Sequence, residues 1–177
     1  YVLDHHGRVI DPSLVLAIIS EYLVKNSPRK KIVIEVRTSR IVQEWVERAG
    51  GRVEISVCWT IPMKLKMMTD PEIIFGGETS GHFIFPKMHN SDDTILGALT
   101  FLQAISAKKE SLDEIIKNFN DNYFVLEEQN FKILEAGQAD KIFKKLKNKY
   151  STANGQIMEI DGLSVIFSNW WFNLRKS

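Results

Sequence analysis

Short apolar runs alternate with amphipathic stretches along the first half of the chain. An aspartate-proline pair at residues 11–12 is typical of a helix start, and apolar residues then recur at helical spacing. The β-branched run 32–36 predicts a buried strand, and a second helix (41–49) and a second strand (52–57) follow it. This order predicts an α/β domain built in layers around a mixed sheet.

Two further segments complete the first half. Residues 59–68 stay ambiguous, because Pro62 interrupts a weakly helical pattern. Residues 94–102 predict a long apolar helix that follows two aspartates, Asp92 and Asp93. Acidic residues at a helix start interact favourably with the helix dipole, and this role is favoured over a metal site.

The second half predicts a smaller domain. The polar stretch 118–122 is typical of a linker. Beyond it, the pattern predicts a strand at 131–134, a helix at 138–149 and three strands joined by turns at 161–162 and 168–169. The expected architecture is a small α+β domain with one helix on an antiparallel sheet.

A glycine-rich loop lies between two β-prone runs near the middle of the chain. Residues 76–82 read Gly-Gly-Glu-Thr-Ser-Gly-His. Glycines permit positive φ and close approach to a ligand, and an extended segment would direct Glu78, Ser80 and His82 to one side. A carboxylate, a hydroxyl and an imidazole suit a polyhydroxy ligand such as a sugar. An ordinary hairpin with a polar tip fits the same spacing equally well.

Arg37 is a second candidate contact, because it follows the predicted strand 32–36 directly. Open α/β sheets bind ligands at the carboxyl ends of their strands, and helix N-termini attract anions. A phosphate contact is therefore expected for Arg37. The alternative is that Ser39 only caps the following helix and that Arg37 is solvated.

The composition of the chain argues against several classes of function. The 177 residues carry a net charge of +1, which gives no electrostatic case for nucleic acid or an acidic membrane surface. The single cysteine, Cys58, excludes an internal disulfide and a cysteine-rich zinc site, and fits a reducing cytoplasm. No apolar run approaches the length that spans a bilayer. The chain starts without methionine, and its last residues, 170–177, are typical of a structured segment that has been cut off, so a fragment is expected.

Four segments together resemble one enzyme family. Residues 77–82 resemble the Gly-Glu-x-Ser-Gly-His sugar-binding loop of the α-D-phosphohexomutases, which include phosphomannomutase and phosphoglucomutase. Residues 7–11 are similar to the segment after the family's metal-binding loop, and 36–40 to a strand end of domain 3 that carries a basic residue. Residues 175–177 resemble the start of the phosphate-binding loop of domain 4. The order and spacing agree over nearly the whole chain.

The resemblance implies the C-terminal part of a four-domain enzyme. Residues 1–8 would end domain 2, residues 9–117 would form the α/β sugar-binding domain 3, and residues 118–177 a truncated α+β domain 4. Such isomerases move a phosphoryl group between C1 and C6 of a hexose phosphate through a bisphosphate intermediate, using a phosphoserine of domain 1 and Mg²⁺ of domain 2.

Neither the phosphoserine loop nor the metal loop occurs in this chain. The chain alone is therefore expected to be inactive, with its Mg²⁺ site outside it. Its expected partners are domains 1 and 2 of the same protein and a mannose or glucose phosphate, in the cytoplasm.

The resemblance also implies roles for single residues. Glu78 and Ser80 would bind sugar hydroxyls, and His82 would serve as an acid/base group, with structural support of the loop as its competing role. Arg37 would balance charge near the transferring phosphoryl group.

At the other end of the chain, Arg175 and Ser177 would hold the non-reacting phosphate. One residue departs from the family pattern, since Trp59 stands where a histidine is usual. Indole does not transfer protons at neutral pH. The alternative reading is therefore a catalytically dead sugar-phosphate-binding regulatory protein, and a generic α/β scaffold is a third.

Overall fold

The computed structural model describes residues 1–27, 30–126 and 128–176. The chain divides into two compact units, Tyr1–Phe124 and Val125–Ser177. The first unit is an α/β domain with a mixed five-stranded sheet, and the second contains a three-stranded antiparallel sheet. The fold class predicted from the sequence is confirmed.

The first unit begins with a short hairpin, in which Leu3 and Val9 form an antiparallel bridge. Its helices are α1 (Pro12–Lys25), α2 (Arg40–Arg48), α3 (Thr60–Thr69), α4 (Thr94–Ser106) and α5 (Leu112–Asn122). Its strands are β1 (Lys31–Glu35), β2 (Arg52–Ser56), β3 (Ile73–Gly77), β4 (Phe83–Phe85) and β5 (Ser91–Asp92). The sheet order is β2-β1-β3-β4-β5, with β1 parallel to β2 and β3, and β4 antiparallel to both of its neighbours.

Successive side chains of β1 point to opposite faces of the sheet, and helices pack on both faces, which gives three layers. Ile32 and Ile34 are buried in the apolar cluster that contains the inner residues of α1, α2 and α4. Val33 points to the opposite face, where it is buried with Met63 and Met67 of α3. The sheet is therefore covered on both faces, which explains why β1 reads as a continuous apolar run rather than as an alternating one.

Side-chain caps mark the starts of α1, α2, α4 and α5. The side chain of Asp11 accepts a hydrogen bond from the Ser13 amide at 2.7 Å, and Ser111 and Glu114 form a complete capping box. The ambiguous stretch around Pro62 is helical, as α3. Pro62 lies in the first turn of α3, where backbone N–H groups have no intrahelical acceptor, so the proline costs no hydrogen bond.

The predicted linker at 118–122 is helical instead. These residues form the end of α5, because Ile115 and Phe119 are buried on one face of that helix. The polar residues around Phe119 are its exposed side, and Asn122 Nδ2 donates to the Asn118 carbonyl at 2.8 Å. A polar, turn-rich composition is therefore found not only in linkers but also at the end of an amphipathic helix.

The second unit is a helix with an antiparallel meander. It contains α6 (Gln138–Thr152), β6 (Gln156–Met158), β7 (Leu163–Ile166) and β8 (Trp171–Leu174), in the sheet order β6-β7-β8. The β7–β8 ladder places Leu163 opposite Leu174. Asp161 and Gly162, which precede β7, have φ values of 49° and 102°, so both adopt the left-handed region that tight primed turns require.

The strand predicted at 131–134 is wrong. No strand forms among the described residues 128–137, and Phe131 and Leu134 are 76% and 80% exposed. An apolar run becomes a strand only where a neighbouring strand pairs with its backbone and a layer covers its side chains. Within the described residues no helix combines the length and apolar character that membrane crossing requires.

Candidate functional site

The candidate site lies at the carboxyl edge of the parallel strands. Strands β1, β2 and β3 end at this edge, and the chain leaves them towards Arg37, Trp59 and the loop formed by residues 78–82, called here the 78–82 loop. Carboxyl ends of parallel strands are where open α/β sheets bind ligands. Three segments that are far apart in sequence therefore emerge on one edge.

The 78–82 loop is a tight turn and not the extended segment predicted from its spacing. The Glu78 amide donates to the His82 carbonyl at 3.0 Å, and the Gly81 amide donates to the Glu78 carbonyl at 3.0 Å. Gly81 has φ of +93°, a conformation that costs a residue with Cβ about 1–2 kcal/mol. The turn separates the three polar side chains: Glu78 points inward, while Ser80 and His82 are exposed.

Glu78 is a buried carboxylate with one satisfied oxygen. Only 7% of the residue is exposed, and Oε2 accepts a hydrogen bond from Ser80 Oγ at 3.1 Å. Its Oε1 is buried and has no hydrogen-bond partner within the part of the chain that the structure describes. A buried acceptor without a donor is costly, so a hydroxyl donor brought to this loop would be stabilised by it.

His82 is held by a carboxylate. Its Nδ1 lies 2.5 Å from Asp92 Oδ2, and Asp92 Oδ1 accepts a hydrogen bond from the Phe83 amide at 2.8 Å. The hydrogen bond to Asp92 raises the pKa of His82 above its usual value, against the smaller opposing effect of partial burial. The imidazole is therefore oriented, and its protonated form is favoured.

The two aspartates before α4 have different roles. Asp93 caps the helix by accepting from the Leu96 amide at 2.8 Å, as the sequence indicates. Asp92 instead belongs to β5 and contacts His82, a role that the sequence analysis missed. The available signal was the doubled aspartate itself, because one N-cap residue suffices for one helix.

Glu35 is the second residue that the sequence analysis missed. It is fully buried, and its Oε1 accepts hydrogen bonds from the Thr79 amide, at 2.8 Å, and from the Thr79 hydroxyl. Its Oε2 accepts from Arg37 Nε at 3.1 Å and Arg37 Nη2 at 2.7 Å. Burial alone would raise the pKa of Glu35, but the hydrogen bonds from Thr79 and Arg37 outweigh burial and hold this pKa below its usual value.

Arg37 is therefore paired rather than simply solvated. Burial opposes its charge, but Glu35, and to a smaller extent Cys58, raise its pKa. Its side chain is 32% exposed. The sequence signal for this pair was a carboxylate at the end of a β-branched run, because a buried charge requires a partner.

The first two glycines of the motif serve packing. Gly76 and Gly77 end β3, and neither has a positive φ. A Cβ on Gly77 would lie 2.3 Å from Leu16 Cδ2, and one on Gly76 would lie 2.9 Å from Met67 Sδ. The strand therefore has no room for side chains on either face just before the loop. Of the three glycines in the motif, Gly81 has a positive φ and Gly76 and Gly77 do not.

In the second unit, Arg175 follows β8 directly. Its Nη1 lies 3.8 Å from Asp161 Oδ2, a long ion pair, and its side chain is 32% exposed. Ser177, the other residue expected to hold a phosphate, lies outside the described residues.

Among residues 1–27, 30–126 and 128–176, no group of three or more His, Cys, Asp or Glu side chains could hold a metal ion. A cavity in the first unit is lined by Asp4, Arg8, Ile116 and Phe119, among others, and not by the 78–82 loop.

Comparison with known proteins shows which family this chain resembles. A family model described as phosphoglucomutase/phosphomannomutase, alpha/beta/alpha domain III, matches residues 11–123. A phosphomannomutase of Methanocaldococcus jannaschii is 31% identical over 176 residues, covering 99% of this chain and 38% of that protein. A phosphomannomutase/phosphoglucomutase of Pseudomonas putida is 27% identical over 186 residues, covering 99% of this chain and 38% of that protein.

The fold comparison agrees. The crystal structure of a phosphoglucomutase/phosphomannomutase family protein from Burkholderia thailandensis superposes with a TM-score of 0.77 at 20% identity, covering 99% of this chain and 36% of that one. This likeness shows the fold. The chain thus spans less than two fifths of the length of the relatives it matches.

Proposed function

The chain belongs to the phosphoglucomutase/phosphomannomutase family, and we propose that it is the sugar-binding and phosphate-binding part of a phosphohexomutase. The parent enzyme would move a phosphoryl group between C1 and C6 of mannose phosphate or glucose phosphate through a bisphosphate intermediate. Residues 9–117 would be its domain 3 and residues 118–177 part of its domain 4, with residues 1–8 ending domain 2.

The 78–82 loop carries the proposal. It brings to the carboxyl edge of the sheet a carboxylate oxygen that lacks a donor, an exposed hydroxyl and an oriented imidazole. Glu78 and Ser80 would bind sugar hydroxyls, because a hydroxyl can donate to the unsatisfied Oε1 after a small opening of the loop. His82 would act as an acid/base group, since Asp92 fixes its ring and favours its protonated form.

The basic residues would handle the phosphates. Arg37 would balance charge near the transferring group, from a position fixed by Glu35. Arg175 and Ser177 would bind the non-reacting phosphate, and Arg175 would exchange its long contact with Asp161 for the shorter, charge-assisted contact with phosphate.

Phosphoserine and Mg²⁺ would come from outside this chain. The described side chains offer no cluster that fits Mg²⁺, so no residue here is assigned to the metal. Domains 1 and 2 of the same protein would supply both groups, and the chain alone would bind substrate without turnover, in the cytoplasm.

Isothermal titration calorimetry of the 177-residue chain with glucose 1-phosphate and mannose 1-phosphate tests the proposal. Glu78→Gln and Arg175→Ala should each weaken binding by about tenfold or more, because each removes a charged hydrogen-bonding group. The matched controls are Glu72→Gln, which alters a half-exposed carboxylate just before β3, and Lys141→Ala, which alters an exposed lysine of α6. Both should bind as the natural chain does. Absence of binding, or equal losses in the controls, would overturn the proposal.

Trp59 supports the second candidate, a catalytically dead sugar-phosphate-binding regulator. Trp59 is 59% exposed beyond the carboxyl end of β2, and its indole supplies no proton-transferring group there. Turnover measured in the four-domain protein separates the two candidates. The regulator predicts that the natural protein is inactive and that Trp59→His gains activity. Similar, substantial turnover by both would exclude the regulator.

A further inference from the structure

Glu35 is a fully buried carboxylate whose two oxygens face two different functional segments. Its Oε1 accepts from the amide and the hydroxyl of Thr79, and its Oε2 accepts from Nε and Nη2 of Arg37. These four donors come from the loop after β3 and from the end of β1. Burying a charge is favourable only when donors compensate it, and here the donors on each side are needed to do so.

We propose that Glu35 is a positioning residue, which holds the Arg37 guanidinium and the 78–82 loop in one fixed arrangement. The inference rests on the proposed function, in which Arg37 faces the transferring phosphoryl group and the loop binds the sugar. Thr79 is the link on the loop side, since it lies between Glu78 and Ser80 and both of its donors are directed at Glu35.

The chemistry of the carboxylate makes this arrangement specific. A glutamine at position 35 has one acceptor oxygen and one donor amide group, so it can accept from Thr79 or from Arg37 but directs a donor at the other. The ionised carboxylate accepts from both. A guanidinium fixed in direction before the ligand arrives lowers the entropic cost of forming the charged contact.

Hydrogen exchange in the ligand-free 177-residue chain tests the link. In Glu35→Gln, NMR should show exchange of the Thr79 amide or the Arg37 Nε–H accelerated by about tenfold or more, because one of the two loses a charged acceptor. Glu21→Gln is the matched control, since Glu21 of α1 is also a buried carboxylate, paired with Lys25 of the same helix and with Lys108, which follows α4. Unchanged exchange in Glu35→Gln, or equal acceleration in Glu21→Gln, would overturn the proposal.

A milder variant keeps the test decisive if Glu35→Gln does not fold. Thr79→Val removes one hydroxyl donor and keeps the carboxylate. It should shift the Arg37 Nε–H resonance through Glu35, although the two residues belong to different strand ends. A resonance that does not move would contradict the link.

Affinity for glucose 1-phosphate separates the two proposals. Glu35→Gln should bind it about tenfold more weakly than the natural chain does, although the side chain of Glu35 is inaccessible to a ligand. Equal affinity would overturn the positioning role and leave the proposed function intact. No binding by the natural chain would overturn the proposed function, while the exchange rates would still decide the link between Arg37 and Thr79.

Discussion

The imidazole of His82 and the carboxylate of Asp92 form a close pair, with Nδ1 2.5 Å from Oδ2. The second oxygen of Asp92 is occupied by the Phe83 amide, so the carboxylate cannot swing away without losing a backbone hydrogen bond. The pair therefore controls both the direction of the ring and its charge.

Replacing Asp92 should lower the pKa of His82. The pKa of His82 is raised above 6.5, first by the hydrogen bond to Asp92, and Asp92→Asn removes that charge. An NMR titration of His82 should therefore show its pKa shifted towards the usual value. Asp93→Asn is the control, because the side chain of Asp93 accepts from the Leu96 amide and asparagine still caps α4. Equal pKa values in the two variants would contradict the assignment.

The same pair gives stability a defined pH dependence. Because the pKa of His82 is higher in the folded chain, its contribution to the free energy of unfolding is fully present below about pH 6.5. This contribution is lost as the pH rises through the raised pKa. Urea unfolding across that window should therefore show a larger decrease with pH for the natural chain than for Asp92→Asn. A parallel dependence for both would count against the pair.

Gly77→Ala should destabilise the first unit by about 1–3 kcal/mol, because overpacking a full core strains it. The added Cβ would lie 2.3 Å from Leu16 Cδ2, in the fully buried layer under α1. Urea denaturation measures the loss. With Leu16→Ala added, the double variant should lose less than the sum of the two single losses, since the clash is relieved. Strict additivity would show that the two positions do not collide.

Trp59→Asp should stabilise α3. Trp59 is the N-cap residue in an extended conformation, and its side chain makes no capping hydrogen bond. An aspartate there can accept from a first-turn amide, which is worth about 0.5–2 kcal/mol relative to alanine. Thermal and urea unfolding of Trp59→Asp and Trp59→Ala give the comparison, because both remove the exposed indole. An aspartate variant no more stable than the alanine variant would disprove the cap.

Asp161→Asn should strengthen binding of a hexose phosphate several-fold under the proposed function. It removes the negative charge 3.8 Å from Arg175, and asparagine tolerates the φ of 49° at this turn position. Calorimetry with glucose 1-phosphate measures the change. Asp140→Asn, which removes the partner of Lys176, is the control for a general gain of positive charge. Weaker binding by Asp161→Asn would argue against a phosphate role for Arg175.

Most of the order of helices and strands in the first unit, apart from α3 and β5, could be predicted because its signals are local. Asp11, Ser39 and Ser111 mark helix starts whatever the rest of the chain does. The run at 131–134 shows the limit of such signals, since its apolar residues resemble a strand but pair with none among the described residues.

The candidate site was predictable in composition and not in geometry. Glu78, Ser80 and His82 were correctly grouped on one loop, but the inward turn of Glu78 depends on the hydrogen bonds that close that loop. The hydrogen bond between Glu35 and Thr79 joins residues 44 positions apart, and local periodicity cannot predict such a contact. Pairings between strand ends follow from the sheet order, which is a property of the whole chain.

The absence of side chains at Gly76 and Gly77 has a mechanical consequence. With Leu16 on one face and Met67 on the other, β3 packs tightly between the two helical layers up to its last residue. The 78–82 loop therefore begins at a strand end that is held in place by packing on both faces. Changes of sequence confined to its tip can alter what the tip recognises without moving the point from which it projects.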